Sequence, residues 1–289
     1  MPRLTLFGIP KAFEGHIGVI QRNAIRSWTL LRPAVDVILF GDDDGTAEFA
    51  AELKIRHVAE IKKTEQGTPL LSDAFQQARA LSRTAMLGYV NSDILLLDDF
   101  SVAAEKVAAA ISSPFLMIGR RIDTDITKEF DAEDPNWRQQ ILATKDSVGR
   151  LAPRVCKDFF IFPKQLFLDL PDFAVGRANW DNWMVYHAHQ TKIPVVDVTA
   201  VTSVIHQNHD YAHFKQGYAE QIKGREALAN RDLAGGMHLV KGSVGNWVLT
   251  KNGIGRSRAL SAWLPFLADM HRFSRLLARL CAGSFRKSN

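Results

Sequence analysis

Cysteine is scarce in this chain of 289 residues, which has only Cys156 and Cys281. The two lie far apart and fit no metal-binding or redox spacing, so we expect free thiols in a reducing compartment. Long apolar runs are also missing. None reaches the length of a membrane span, and the N-terminal run is too short for the core of a signal peptide. From these absences we expect a cytoplasmic protein.

A nucleic-acid signature is missing as well. The net charge of +5 is modest, and much of the positive charge lies near the C-terminus. The body of the chain has no basic run, no zinc-ligand spacing and no interleaving of aromatic and basic residues, so we expect no nucleic-acid partner. With 46% apolar and 23% charged residues, the chain has the composition of a globular protein with a sizeable core.

Strand and helix patterns alternate at the start of the chain. Short apolar runs at 4–9, 35–40 and 55–58 predict strands, and segments 17–31 and 46–53 between them have the spacing of helices. This β-α-β-α-β order favours an α/β fold with a mainly parallel central sheet flanked by helices.

The end of the chain has a different character. Segment 264–280 is amphipathic, with arginines beside an apolar stripe of Phe266, Met270, Phe273, Leu277 and Leu280. Such a helix either docks on the body or makes peripheral contact with a membrane, which would place the protein at the inner face of that membrane. We therefore predict one domain over 1–255 and a basic helical tail over 256–289.

A polar triplet separates two buried runs in the middle of the chain. Runs 86–90 and 94–97 are apolar throughout, and Asn91-Ser92-Asp93 lies between them. Burial of three polar residues costs free energy unless something binds them. Ligands of α/β sheets bind beyond the carboxyl ends of strands, and a carboxylate there suits a hard cation. The alternative reading of the triplet alone is an ordinary polar turn.

Three further polar groups follow apolar strands or open a helix: Gly41-Asp42-Asp43, Trp180-Asp181-Asn182 and His206-Gln207-Asn208-His209. The carboxyl ends of parallel strands share one edge of a sheet, so these groups and the triplet can converge there. Each group is a weak signal alone, and their order along the chain is more informative.

Four short segments stand in a distinctive order: Gly-Thr-Pro-Leu-Leu at 67–71, Tyr-Val-Asn-Ser-Asp-Ile-Leu-Leu-Leu-Asp-Asp-Phe at 89–100, Trp-Asp-Asn-Trp at 180–183 and Ile-His-Gln-Asn-His-Asp-Tyr at 205–211. In this order they resemble glycosyltransferases of the GT-A type, most closely a group of uncharacterised bacterial and plant proteins of that class. The resemblance covers roughly residues 4–215. It implies the GT-A fold and transfer of a sugar from a nucleoside-diphosphate sugar to a hydroxyl acceptor, either a glycan or a lipid-linked one.

The resemblance places Asn91-Ser92-Asp93 at the Asp-x-Asp metal motif, with Asn91 in place of the first aspartate. Asp93 is then the expected ligand of Mn²⁺ or Mg²⁺, and Asn91 and Ser92 contact the donor. The class often supplies a late histidine ligand, for which His206, expected directly after a strand, is the best match and His209 the second. A histidine ligand favours Mn²⁺. The alternative for His206 is a hydrogen bond to the backbone.

Donor contacts at the first strands are also implied by the resemblance. Pro10 and Lys11 after the first strand, and Asp42 after the second, match the places where the fold holds the nucleoside, and Asp73 can face the base. A solvated acidic turn is the alternative role of Asp42.

On the acceptor side, Asp181 matches the residue that is the general base of inverting members. Capping of the helix that begins there is its alternative role. Trp180 can stack on a sugar ring, with Asn182 beside it, whereas Trp183 is expected in the core. Asp158 can bind the donor or the acceptor sugar.

Two other functions stay open. A sugar-phosphate nucleotidyltransferase shares the architecture, but its Gly-rich run after the first strand is absent here, where the chain reads Gly8-Ile9-Pro10-Lys11. A non-catalytic protein that binds nucleotide sugars or carbohydrates gains support from Asn91. Slow metal-dependent hydrolysis of a donor would distinguish an enzyme from such a binding protein.

Overall fold

The structure is a computed structural model, and it describes residues 3–209, 218–235 and 245–258. The opening follows the predicted alternation, with β1 (Leu4–Gly8), α1 (Gly15–Thr29), β2 (Asp36–Phe40), α2 (Thr46–Glu52) and β3 (Arg56–Val58). The middle of the chain adds α3 (Leu71–Leu81), β4 (Met86–Val90), β5 (Ile94–Leu96), α4 (Asp98–Ala110), β6 (Leu116–Ile118), β7 (Ile122–Thr124), α5 (Trp137–Val148) and β8 (Arg150–Leu151). The last described elements are β9 (Phe159–Pro163), α6 (Trp180–Gln190), β10 (Val195–Asp197), β11 (Val204–Gln207), α7 (Tyr218–Lys223), α8 (Arg225–Leu233), β12 (Trp247–Thr250) and β13 (Gly253–Arg256).

Nine of these strands form the central sheet, in the order β13-β12-β10-β6-β9-β4-β1-β2-β3. Five of its eight pairings are parallel, and the antiparallel ones are β9 with β4, β9 with β6, and β12 with β13. The predicted α/β fold with a mainly parallel central sheet flanked by helices is therefore confirmed.

Alternate side chains of the central strands enter two different cores. Leu4 and Leu6 of β1 pack in a cluster with residues of α1, α2 and α4. Phe7 of the same strand packs in a second cluster with residues of α3 and α6. Successive side chains of a strand point to opposite faces, so a strand buried on both faces is apolar at nearly every position.

A second sheet of four strands stands beside the first, in the order β5-β11-β7-β8. The chain leaves the central sheet at the end of β4, turns through residues 91–93 and enters β5, which pairs antiparallel with β11. In this sheet His206 is in register with Ile94 on one side and with Asp123 of β7 on the other. The expectation that His206 directly follows a strand is wrong, because β11 continues through Gln207.

Gln207 connects the two sheets to α1. Its side chain is fully buried, and its Nε2 donates to the carbonyls of Ile20 and Asp93 at 2.8 and 3.2 Å. Its Oε1 accepts a hydrogen bond of 2.8 Å from Asn23 Nδ2. This amide therefore makes three hydrogen bonds in a fully buried position.

We expect Gln207→Leu to lower the free energy of unfolding by roughly 2–3 kcal/mol, because it removes three buried hydrogen bonds. Urea denaturation measures the change. The control is Gln140→Leu, since Gln140 bonds only the exposed Asp134, and we expect it to stay within about 0.5 kcal/mol of the wild type. Equal effects of the two substitutions would contradict the role of Gln207.

The predicted tail lies almost entirely outside the described residues, which end at 258, so the boundary at 255 and the amphipathic helix over 264–280 stay predictions. Among the residues that the structure does describe, no helix combines the length and the apolar character needed to cross a membrane.

Candidate functional site

A cavity of about 320 Å³ lies beyond the carboxyl ends of β1 and β4. It brings together eight residues that the sequence singled out: Pro10, Lys11, Asn91, Ser92, Asp93, Asp158, His206 and His209. Five other predicted residues do not line it: Asp42, Asp73, Trp180, Asp181 and Asn182. The convergence of the strand ends therefore holds for the metal residues and for some of the donor residues, but not for Asp42, Asp73 or the residues at the start of α6.

The loop after β1 is held in place by Gln21 of α1. Gln21 Oε1 accepts from the backbone N–H of Lys11 at 2.7 Å, and its Nε2 donates to the Lys11 carbonyl at 2.8 Å. Gly8 allows β1 to lie close to the end of β4, since a Cβ there would be 2.9 Å from the carbonyl oxygen of Val90. Burial lowers the pKa of Lys11 to about 8, although Asp93 opposes the shift. Lys11 is thus a desolvated cation beside an acid.

Asp93, His206 and His209 form a compact group in this cavity. Asp93 Oδ2 lies 3.2 Å from Nε2 of His209 and 3.5 Å from Nε2 of His206. One ligand atom from each of the three residues lies within 4.8 Å of the others. Burial would raise the pKa of Asp93, but the two histidines hold it well below its ordinary value. The acid is therefore ionised and ready to bind a cation.

These three residues fit a divalent metal ion. They offer one carboxylate oxygen and two imidazole nitrogens, a donor set that suits Mn²⁺ better than Mg²⁺. Asp93 Oδ1 is buried and has no hydrogen-bond partner among the described residues, so it is available as a ligand. Three protein ligands leave positions at the metal for a substrate.

Asp123 contacts the other nitrogen of His206, with Nδ1 3.0 Å from Asp123 Oδ1. The same oxygen accepts a hydrogen bond of 2.8 Å from Arg121 Nε. Burial alone would lower the pKa of His206, but its contacts with Asp123 and Asp93 raise it to about 9. A carboxylate on the far nitrogen of a histidine ligand fixes the ring and its tautomer. Sequence reasoning missed both residues: Arg121 lies directly before β7, and Asp123 lies within it.

We expect Asp123→Asn to weaken the binding of Mn²⁺ roughly tenfold, because the amide lacks the charge that orients His206. The electron paramagnetic resonance signal of free Mn²⁺ measures the dissociation constant. Asp125→Asn is the matched control, since the carboxylate of Asp125 contacts Asn208 instead. Unchanged Mn²⁺ binding in the Asp123 variant would refute this role.

Asp158 lies where β9 begins beside the end of β4. Its Oδ1 accepts hydrogen bonds from Asn91 Nδ2 and Arg121 Nη1, both at 2.9 Å. The backbone N–H of Asn91 also donates to the carbonyl of Asp158 at 2.9 Å. Asn91 therefore binds Asp158 through both its backbone and its side chain.

Another wall of the cavity is held by Glu226 of α8. This buried carboxylate contacts Arg177 at 2.7 Å and accepts a hydrogen bond of 2.8 Å from Thr68. Both partners line the cavity, so Glu226 joins the loop before α3 to the loop before α6. Nothing in the sequence pointed to Glu226, because its partner Thr68 is 158 positions away.

Asp42 and Asp73 line a different pocket, together with Lys62 and Lys63. Asp42 is exposed and paired with Lys63 at 2.5 Å, whereas its neighbour Asp43 lines the main cavity. Asp73 is buried and accepts hydrogen bonds from the Lys62 backbone at 2.9 Å and from Gln77 at 2.7 Å. The two residues predicted to hold the nucleoside, Asp42 and Asp73, thus make contacts within the protein instead.

Trp180 is buried in the core, with its ring 5.2 Å from that of Tyr89 and 5.3 Å from that of Phe160. Only 5% of it is exposed, so the expectation that it stacks on a sugar is wrong. Trp183, expected in the core, is half-buried and stacks on His187 at 4.6 Å. Trp183 nevertheless packs against the core cluster that contains Trp180.

Asp181 is half-buried in the first turn of α6, whose N-cap is Asn179. Burial raises the pKa of Asp181 to about 6, and the charge of Lys157 opposes that shift. Lys157 is itself buried, and its Nζ lies 3.5 Å from Asn182 Oδ1. A carboxyl group with this pKa can exchange a proton near neutral pH.

Among known proteins, no family model and no curated protein matches the chain. Among solved structures it is similar to glucosyl-3-phosphoglycerate synthase from Mycobacterium tuberculosis in complex with Mn²⁺, uridine diphosphate and phosphoglyceric acid. The identity is 12%, the match covers 81% of this chain and 79% of that one, and the TM-score is 0.48.

A protein from Desulfovibrio desulfuricans G20, assigned to the nucleotide-diphospho-sugar transferases, is also similar. It is 14% identical, and the match covers 81% of this chain and 97% of that one with a TM-score of 0.44. At these values the activity has to be argued from the residues of the site itself.

Proposed function

We propose that the protein transfers a sugar from a nucleoside-diphosphate sugar to a hydroxyl acceptor, a glycan or a lipid-linked one, with Mn²⁺ or Mg²⁺ as cofactor. The observation that carries this proposal is the group of Asp93, His206 and His209, whose ligand atoms lie within 4.8 Å of one another in the cavity. Its position beyond the ends of parallel strands is where such sheets bind nucleotides.

The charges around the cavity suit a diphosphate. Four cationic side chains line it, those of Lys11, Lys63, Arg121 and Arg177, beside the three acids Asp43, Asp93 and Asp158. A metal ion held by Asp93, His206 and His209 would add positive charge that stabilises a diphosphate leaving group. Lys11, which lines the same cavity as Asp93, would contact the same group.

Asp181 at the start of α6 is the proposed general base. It does not line the cavity, but its charge interacts with that of Asp158, which does. The Asp181 carboxylate takes the proton of the acceptor hydroxyl, and the acceptor oxygen bonds to the anomeric carbon. The bond from that carbon to the phosphate oxygen breaks, and the nucleoside diphosphate leaves. A base is most effective when its pKa lies near the working pH, and the pKa of about 6 for Asp181 meets that condition.

The two alternatives are less well supported. Carboxyl groups with a raised pKa cluster at catalytic sites, so the half-buried Asp181 favours an enzyme. A nucleotidyltransferase would need phosphate contacts from a Gly-rich loop after β1, whereas here the loop is held by Gln21 through backbone hydrogen bonds.

The metal role of Asp93 predicts how donors bind. In a thermal-shift screen of nucleoside diphosphates and nucleotide sugars with Mn²⁺, we expect at least one ligand to raise the melting temperature of the wild type, because it binds only the folded state. Asp93→Ala should remove that shift, and a chelator should remove it from the wild type. Donor affinity that is the same with and without chelator, in both proteins, would rule out the metal assignment.

The base role of Asp181 predicts a pH profile. Below pH 6 the carboxyl group is protonated and cannot accept a proton, so donor hydrolysis should fall about tenfold per pH unit there and level off above it. Asp181→Asn should retain donor binding and lose about 10²–10⁴-fold in turnover. The fall in the hydrolysis rate below pH 6 should be absent in this variant. Asp172→Asn is the control, because the exposed Asp172 contacts only Ser72. Near-normal turnover of the Asp181 variant would eliminate it as the base.

A further inference from the structure

Asp158 has one carboxylate oxygen for which the described residues supply no partner. The residue is 6% exposed and lines the cavity. Its Oδ1 already binds Asn91 and Arg121, while Oδ2 is buried and has no hydrogen-bond partner among the described residues. A buried oxygen of a charged group is costly without a hydrogen bond, so an oxygen of this kind inside a cavity indicates a ligand.

The chemistry around Asp158 defines that ligand. Asp158 pairs with the Arg121 guanidinium at 2.9 Å, and the oxygens of such a carboxylate accept hydrogen bonds and repel phosphate oxygens. The metal-ligand group of Asp93, His206 and His209 does not include Asp158. The missing partner is therefore a neutral donor, and the hydroxyl groups of a sugar are donors of this kind.

We propose that Asn91 and Asp158 form a matched pair, in which the Asn91 amide holds the Asp158 carboxylate so that Oδ2 accepts a hydrogen bond from a hydroxyl of the transferred sugar. The inference rests on the proposed function and names the residues that recognise the sugar part of the donor.

This pair explains why the metal motif begins with asparagine. The side chain at 91 has to donate a hydrogen bond to Asp158, and only the amide can do so. An aspartate at 91 would bring two carboxylates to within about 2.9 Å, the distance of the present hydrogen bond. The substitution Asn91→Asp restores the Asp-x-Asp sequence and adds a carboxylate beside the metal ligands. It should nevertheless weaken binding of the nucleotide sugar.

The experiment is isothermal titration calorimetry with Mn²⁺ and two ligand pairs, uridine diphosphate with UDP-glucose and guanosine diphosphate with GDP-mannose. The pair that binds the wild type more tightly is used for the variants. In Asp158→Asn an amide N–H₂ replaces the accepting oxygen, so we expect the nucleotide sugar to bind roughly ten- to a hundredfold more weakly and the nucleotide to bind unchanged. In Asn91→Asp we expect a loss for the nucleotide sugar in the same range and a lower melting temperature.

Asp98→Asn is the matched control, because Asp98 also pairs with an arginine, Arg138, but lies outside the cavity. The inference is overturned if Asp158→Asn weakens nucleotide and nucleotide sugar equally or neither of them. It is also overturned if Asn91→Asp binds the nucleotide sugar as tightly as the wild type. If Asn91→Asp fails to fold, the binding measured for Asp158→Asn tests the inference alone. A wild type that binds none of the four ligands would instead overturn the proposed function.

Discussion

The backbone carbonyl of Asp93 accepts hydrogen bonds from both the backbone N–H and the side chain of Gln207, at 3.4 and 3.2 Å. These bonds fix β11 of the second sheet against the turn that ends β4 of the first. Asp93 belongs to that turn, and His206 and His209 belong to β11 and the residues after it, so the compact ligand group exists only while this junction holds. Gln207 is buried completely, which keeps water from competing for these bonds.

Positive and negative side chains alternate in this buried polar region and stabilise one another. Asp158 contacts Arg121, Arg121 contacts Asp123, and Asp123 contacts His206, whose other nitrogen faces Asp93. With the pKa of His206 at about 9, each charge in the series has neighbours of opposite sign at neutral pH. Buried charges are stable only when paired and hydrogen-bonded, so these residues hold one another in a single arrangement. A preorganised arrangement of this kind is what binding and catalysis require.

Much of the fold could be predicted from local pattern. The apolar runs of β1, β2 and β4 are buried on both faces, and that pattern is visible in the sequence. The second sheet could not be predicted, because the apolar run after residue 93 fits a strand of either sheet equally well. The position of His206 within β11 depends on its pairing with β5 and β7, which involves residues far away in the sequence.

The site was predictable to a similar degree. The strand end identified Asn91 and Asp93, which lie in the turn after β4, whereas the family resemblance identified Lys11 in the loop after β1. Short-range pattern could not show that Trp180 packs against Tyr89 or that Glu226 reaches Thr68, since those contacts are made only in the folded chain. The acid-rich turn after β2 identified the right place but not the right residue, since Asp43 lines the cavity and Asp42 pairs with Lys63.

The ligand group also has a consequence for folding, because Asp93 and His209 are 116 positions apart. A cation that binds both residues cross-links the native chain across a very long loop, and the unfolded chain would have to lose much configurational entropy to form the same cross-link. Metal binding is therefore coupled to folding of the whole segment between the two residues, which includes the β9 strand of the central sheet. A single ion would tie the integrity of the central sheet to the occupancy of the site beside it.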